Sequence, residues 1–278
     1  MNTQSEKAEL LRRLHHGPEI LVLPNAWDCA SARIFEEAGF PAIATSSAGV
    51  AFSLGYPDEE RISQDEMLAV VKRIASCVRV PVTADLESGY HDVASTTAGL
   101  IDSGAVGLNL EDKEHGDDTK ALADISRQIE KIATVRRVSD GMGVKVVINA
   151  RTDVYLAQIG DPATRFDHAC ERLRACIDAG ADCAFLPGLT DEQTIRRIVE
   201  ALKCPVNILA MANAPSVARL EDLGVARVSV GSGIMRATMG LTRRIAEELK
   251  REGTYSRMLD DQISYADANR LFENKTES

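Results

Sequence analysis

The chain has no C-x-x-C pair, no apolar run approaching the ~20 residues that a membrane span needs, no linker rich in Pro, Gly or Ser, and no cluster of Lys or Arg free of nearby acids. Each absence closes a class of function. Without paired spacing, the six cysteines (Cys29, Cys77, Cys170, Cys176, Cys183 and Cys204) read as small core residues of a reducing cytoplasm, not as redox or metal groups. The polar start from Met1 to Lys7 carries neither an export nor a membrane signal, so a cytoplasmic protein is expected. Arg12-Arg13, Arg136-Arg137 and Arg243-Arg244 each sit in a helical pattern beside acids and read as solvated faces. With a formal net charge of -10, they give no basic stripe for nucleic acid.

What is present is the balance of a folded globular chain: 278 residues, 45% hydrophobic and 27% charged, enough to bury a large core. Eight β-rich runs recur, at 20–23, 42–45, 81–84, 106–110, 145–149, 183–186, 206–209 and 227–230. Most are followed by a stretch of helical apolar spacing, including 30–38, 66–76, 125–136, 166–179, 191–202 and 234–249. Gly39, Gly104, Gly180 and Gly224 each follow a helix and precede a strand, where the chain must turn left-handed. Continuous apolar strands alternating with helices imply a parallel sheet under helices, and the count of eight matches a (β/α)8 TIM barrel. A doubly wound open sheet is the second choice. A single α/β domain spanning 1–278 is expected, with an N-terminal helix in 1–18, the barrel in 19–250, and a helical extension and tail in 251–278.

The strongest chemical signal lies at two neighbouring strand ends, Asp85-Leu86-Glu87 and Glu111-Asp112. In such a barrel the chemistry sits at the C-terminal ends of the strands, so carboxylates from two adjacent strands meet there and favour a hard divalent cation. The plainer alternative is that Asp85 and Glu87 cap the next helix. Other strand ends add Asn25, Trp27, Ser46, Ser47, Arg151, Asp153 and Asn213.

In order and spacing, several stretches resemble the isocitrate lyase / phosphoenolpyruvate mutase superfamily. They are Pro24-Asn25-Ala26-Trp27-Asp28; Thr45-Ser46-Ser47-Ala48-Gly49 with Leu54-Gly55-Tyr56-Pro57-Asp58; Ala84 to Tyr90; Asn109-Leu110-Glu111-Asp112; and Ala150-Arg151-Thr152-Asp153. The resemblance implies Mg2+ (or Mn2+) near Asp85, with Glu87 and Glu111 around it. It also implies that Ser46, Ser47 and Ala48 would hold the carboxylate and 2-oxo oxygen of a small 2-oxo acid. An enolate would form as the substrate bond breaks, stabilised by the metal, these donors and Arg151. Arg151 has a plainer alternative, a salt bridge to Asp153 or Asp112. Asp58 matches a family position at the reacting centre, where it would position water or carry a proton, and Asn25 and Trp27 would wall the pocket. The candidate catalytic residues are thus Ser46, Asp58, Glu111, Arg151 and His115. The substrate contacts are Asn25, Trp27, Ser46, Ser47, Ala48, Asp85, Arg151 and Asn213.

Departures from the family pattern narrow the reaction. True isocitrate and methylisocitrate lyases carry a Lys-Lys/Arg-Cys-Gly-His loop after the Glu-Asp strand; here that place reads Lys113-Glu114-His115-Gly116-Asp117-Asp118, without cysteine. The phosphonate enzymes carry a longer loop and a histidine after the sixth strand, where this chain has Pro187-Gly188. The expectation is a Mg2+-dependent lyase that splits a carbon-carbon bond of a small 2-oxo (di)carboxylate, in the manner of oxaloacetate decarboxylation or 2-methylisocitrate cleavage. Lys113 and His115 are the candidate proton donors, with a solvated loop histidine as the plainer reading of His115. Alternatives are a phosphoenolpyruvate mutase or phosphonopyruvate hydrolase, or a non-catalytic 2-oxo-acid binder. By the same resemblance the protein would be a homotetramer, a dimer of dimers exchanging a helix within 232–270.

Overall fold

The eight apolar runs form parallel strands, and the first continues past Pro24 as a second short strand. A computed structural model gives the structure of the protein and describes residues 3–113, 122–260 and 262–273. In chain order the elements are α1 (Gln4–Leu14), β1 (Leu21–Leu23), β2 (Asn25–Ala26), α2 (Cys29–Glu37), β3 (Ile43–Thr45), α3 (Ser47–Ser53), α4 (Gln64–Cys77), β4 (Val82–Asp85), α5 (Val93–Asp102), β5 (Gly107–Glu111) and α6 (Ile125–Gly141). They continue with β6 (Val147–Arg151), α7 (Arg165–Asp178), β7 (Cys183–Leu186), α8 (Glu192–Leu202), β8 (Val206–Leu209), α9 (Val217–Asp222), β9 (Arg227–Ser229), α10 (Gly233–Arg251), α11 (Ser256–Leu259) and α12 (Tyr265–Phe272).

The sheet order is β1-β9-β8-β7-β6-β5-β4-β3-β2, parallel throughout. Because β1 and β2 are halves of one strand split at Pro24, the two ends of this order meet, and the architecture is the expected (β/α)8 barrel. At that split the backbone pairing passes from β9, which pairs with β1, to β3, which pairs with β2, and the Asn25 side chain spans it. Its Oδ1 accepts from the N–H groups of Val230 (2.8 Å) and Gly231 (2.9 Å) beyond β9, and its Nδ2 donates to the Thr45 carbonyl at the end of β3 (2.8 Å).

The strands are buried on both faces, as a parallel sheet under helices requires. Gly39, Gly104, Gly180 and Gly224 all take the left-handed backbone expected of them, with φ between 82° and 112°. Helix α1 starts with a Thr3/Glu6 capping box and closes the barrel at the N-terminal ends of the strands, with Leu11 fully buried. There the reading of two arginines as solvated is corrected: Arg12 (3.2 Å) and Arg136 (2.6 Å) converge on Asp182 and also donate to strand-end carbonyls. Among the cysteines, Cys170, Cys176 and Cys183 are buried, Cys29, Cys77 and Cys204 partly so, and all are free thiols. No helix among the described residues is long and apolar enough to cross a membrane.

Candidate active site

Asp85 ends β4, and both oxygens of its carboxylate are engaged. Oδ2 accepts from the Ser47 hydroxyl (2.7 Å) and the Ser47 N–H (3.3 Å), while Oδ1 accepts from Asn109 Nδ2 (3.4 Å). Ser46 is the N-cap of α3, its hydroxyl accepting from the Gly49 N–H at 3.1 Å. The turn that carries Ser46, Ser47 and Ala48 is therefore docked onto Asp85. The next helix, α5, is capped by Asp92, which leaves Asp85 and Glu87 without the capping duty that was their plainer reading.

Glu87 follows with a left-handed backbone (φ 52°) and is 3% exposed. Its Oε2 accepts from the Glu60 N–H at 2.8 Å, and its carbonyl accepts from the Glu111 N–H at 2.8 Å. Glu60 returns the contact, one oxygen accepting from Ser88 N–H (3.0 Å), Ser88 Oγ (2.7 Å) and Tyr90 N–H (3.2 Å). Two loops on this face of the barrel are thus interlocked by Glu60. Burial pushes the Glu87 carboxyl up to about 9, and the charges of Glu111, Asp85 and Asp58 add to the shift. Burial likewise raises the Asp58 carboxyl, whose Oδ1 is buried with no hydrogen-bond partner.

Arg151, at the end of β6, is the guanidinium of this face. It grips Asp153 with two bonds (2.6 and 2.8 Å) and meets Glu111 at 2.6 Å. Burial opposes its charge, but Glu111 and Asp153 outweigh burial and raise its pKa, so it stays cationic. The salt bridge to Asp153 is therefore formed, in the same arrangement that brings Arg151 to the carboxylate cluster. Asp112 is taken elsewhere: it accepts from Arg172 Nε (2.6 Å), the Thr152 hydroxyl (2.6 Å) and the Asp153 N–H (3.0 Å). Arg172, buried on α7, had no signal in the sequence because its partner lies 60 residues away.

Other expected residues fall outside this group. The hydrogen bonds of Asn25 are spent on the barrel seam. Trp27 packs against the core, its Cβ close to the backbone of Gly49. Asn213 is exposed on the loop after β8, with φ 66°, and no hydrogen bond joins it to the cluster. His115 lies outside the described residues. Lys113 pairs with Glu59 at 2.5 Å, tying the loop after β5 to the loop after α3.

The donor set suits a hard cation. It offers oxygen only, and the carboxylates of Asp58, Asp85 and Glu111 all raise the Glu87 pKa. Among the described residues no trio of His, Cys, Asp and Glu closes into a ready-made cage.

The sequence matches the family model for phosphoenolpyruvate phosphomutase over residues 11–250. It is 29% identical to the 2-methylisocitrate lyase of Bacillus subtilis (strain 168) over 276 residues, covering 94% of this chain and 88% of that one. A crystal structure of 2,3-dimethylmalate lyase superposes with a TM-score of 0.85 at 29% identity, over 98% of this chain and 95% of the other. Phosphonopyruvate hydrolase in complex with oxalate and Mg2+ superposes with a TM-score of 0.84 at 25% identity, over 95% and 94% of the two chains. In fold and in sequence, this chain belongs to the phosphoenolpyruvate mutase / isocitrate lyase superfamily.

Proposed function

We propose that this protein is a Mg2+-dependent lyase that cleaves a carbon-carbon bond of a small 2-oxo carboxylate. The observation that carries the reading is the Asp85 carboxylate, bonded to Ser47 and Asn109 and set beside Glu87 and the Glu111–Arg151 pair on one barrel face. The named lyase relatives support the reaction class, and the hydrolase structure holding oxalate and Mg2+ supports the ligand class.

Asp85 would hold the cation directly, with Glu87 and Glu111 around it in its first or second shell. Bound there, Mg2+ would act as a Lewis acid on the substrate oxygens. Ser46, Ser47 and Ala48, at the start of α3, would bind the substrate carboxylate with a hydroxyl and backbone N–H groups. Arg151, kept cationic by Glu111 and Asp153, would face the oxygen on which negative charge grows. Asp58, with Oδ1 buried and unpartnered, would hold the proton that moves at the reacting centre.

The test is to incubate the protein and Mg2+ with oxaloacetate, 2-methylisocitrate or phosphonopyruvate and follow pyruvate by NMR. Pyruvate from oxaloacetate supports the reading; pyruvate from 2-methylisocitrate, a 2-hydroxy acid, supports the carbon-carbon lyase with the 2-oxo group arising in the product. Turnover of phosphonopyruvate alone contradicts it in favour of a phosphonate enzyme, and binding without any turnover leaves a 2-oxo-acid binder.

We further propose that a second copy of the chain covers α10. In one chain this helix buries only Glu248, while Met239, Leu241 and Leu249 stay exposed, as do Met258, Leu259 and Ile263 just after it.

A further inference from the structure

The middle of the barrel contains a charge that the chemistry at its rim does not by itself require. Arg227, on β9, has 0% relative exposure, and an arginine is almost never fully buried unless paired. Its Nη2 donates to Asn109 Oδ1 at 3.3 Å. Between β9 and β5, which carries Asn109, stand β8, β7 and β6, so the guanidinium reaches across the interior to the far wall. Nε and Nη1 have no hydrogen-bond partner. Burial lowers its pKa to about 10, which leaves it a cation at neutral pH, and Asp85 is a carboxylate whose charge it feels.

Asn109 stands between the two. Its Oδ1 accepts from Arg227 and also from Asn149 Nδ2 (2.8 Å). Two donors on one oxygen fix which way the amide faces, so Nδ2 is presented to Asp85 Oδ1. Strand register assembles the row: Asp85 pairs with Asn109 across β4 and β5, and Asn109 with Asn149 across β5 and β6. We propose that Arg227 is a positioning residue that acts across the barrel, through the Asn109 amide, to orient the Asp85 carboxylate toward a cation. This rests on the reading of Asp85 as the carboxylate that meets the cation.

A packing role accounts poorly for these observations. Barrel interiors are filled by layers of branched apolar side chains, and a buried guanidinium with two unpaired nitrogens is weaker support than a methionine of similar length. What the arginine adds is direction. Outer-shell partners that orient a ligating carboxylate typically change metal affinity by about 10- to 100-fold.

The test is isothermal titration of Mg2+ into the wild-type protein, Asp85→Asn, Arg227→Met, Arg227→Lys and Asn109→Leu, with a thermal melt for each. Arg227→Met and Asn109→Leu should each weaken Mg2+ by about 10- to 100-fold. The melting temperature of Arg227→Met should hold or rise. Arg227→Lys, able to donate one bond to Asn109, should recover part of the affinity. The double variant Arg227→Met/Asn109→Leu should bind no more weakly than Asn109→Leu alone, because both act through one amide. If Arg227→Met does not fold, Asn109→Leu decides. Wild-type Mg2+ affinity in Arg227→Met and Asn109→Leu, beside a loss in Asp85→Asn, would overturn the inference alone. A wild-type protein that binds no Mg2+, or an Asp85→Asn variant that binds as well as wild type, would overturn the cation reading and this inference with it.

Discussion

Half-buried Asp58 and buried His15 are titratable groups with opposite consequences. For Asp58, whose Oδ1 is buried without a partner and whose charge acts on Glu87, removing its proton-carrying capacity should affect rate more than binding. Asp58→Asn is expected to lower kcat by about 100- to 10,000-fold with KM little changed, read by steady-state kinetics on whichever substrate is turned over. His15 lies at the other end of the barrel, where Nδ1 meets the Leu11 carbonyl (2.8 Å) and Nε2 has no partner. Burial pushes its imidazole down to about 4, the neighbouring Arg227 and His16 charges acting in the same direction and Leu11 and Asp182 opposing. A histidine neutral in the fold but protonated when unfolded gives stability that is whole above about pH 6.5 and lost as pH falls toward 4. Between pH 7 and 4.5, denaturant titrations should show His15→Leu losing less stability than wild type, by on the order of 2 kcal/mol. Equal losses in the two proteins would show that His15 is not the cause.

At the scale of elements, the barrel depends on its seam. Asn25 replaces backbone pairing where Pro24 splits the first strand, and Asn25→Ala would leave the Val230 and Gly231 N–H groups without their acceptor. A loss of about 2–4 kcal/mol is expected by denaturant titration, with Asn25→Asp losing less because it keeps the acceptor. The elements themselves were legible in the sequence: their apolar runs are local, and the four glycine turns are written into single positions. The function of Asn25 was not, because the partners that occupy it sit 205 and 206 residues away. Glu60 and Arg172 were hidden for the same reason, each defined by a contact that exists only once loops or layers meet. Asp85, Glu87, Glu111 and Arg151 were legible because strand ends in a barrel share one face, whatever the loops do. The lyase-loop position, with His115, falls in residues 114–121, outside the described residues.

Over the whole molecule, the exposed apolar surface is concentrated toward the C-terminus, on α10 to α12 and the segments between them, and includes Tyr255, Tyr265 and Phe272. Light scattering should therefore give a mass above that of one 30.1 kDa chain, and Leu249→Glu with Met258→Glu should lower it; a monomeric wild type would contradict the exchange. The pocket and the assembly are separate claims, and the pocket is the central one. It is tested most directly by a crystal soaked with Mg2+ and oxalate, the smallest ligand with the required pair of oxygens. The expected result is a cation within about 2.1 Å of an Asp85 oxygen, with oxalate between it and the start of α3 and Arg151 alongside. A cation bound away from Asp85, or oxalate held elsewhere than this face, would contradict the account.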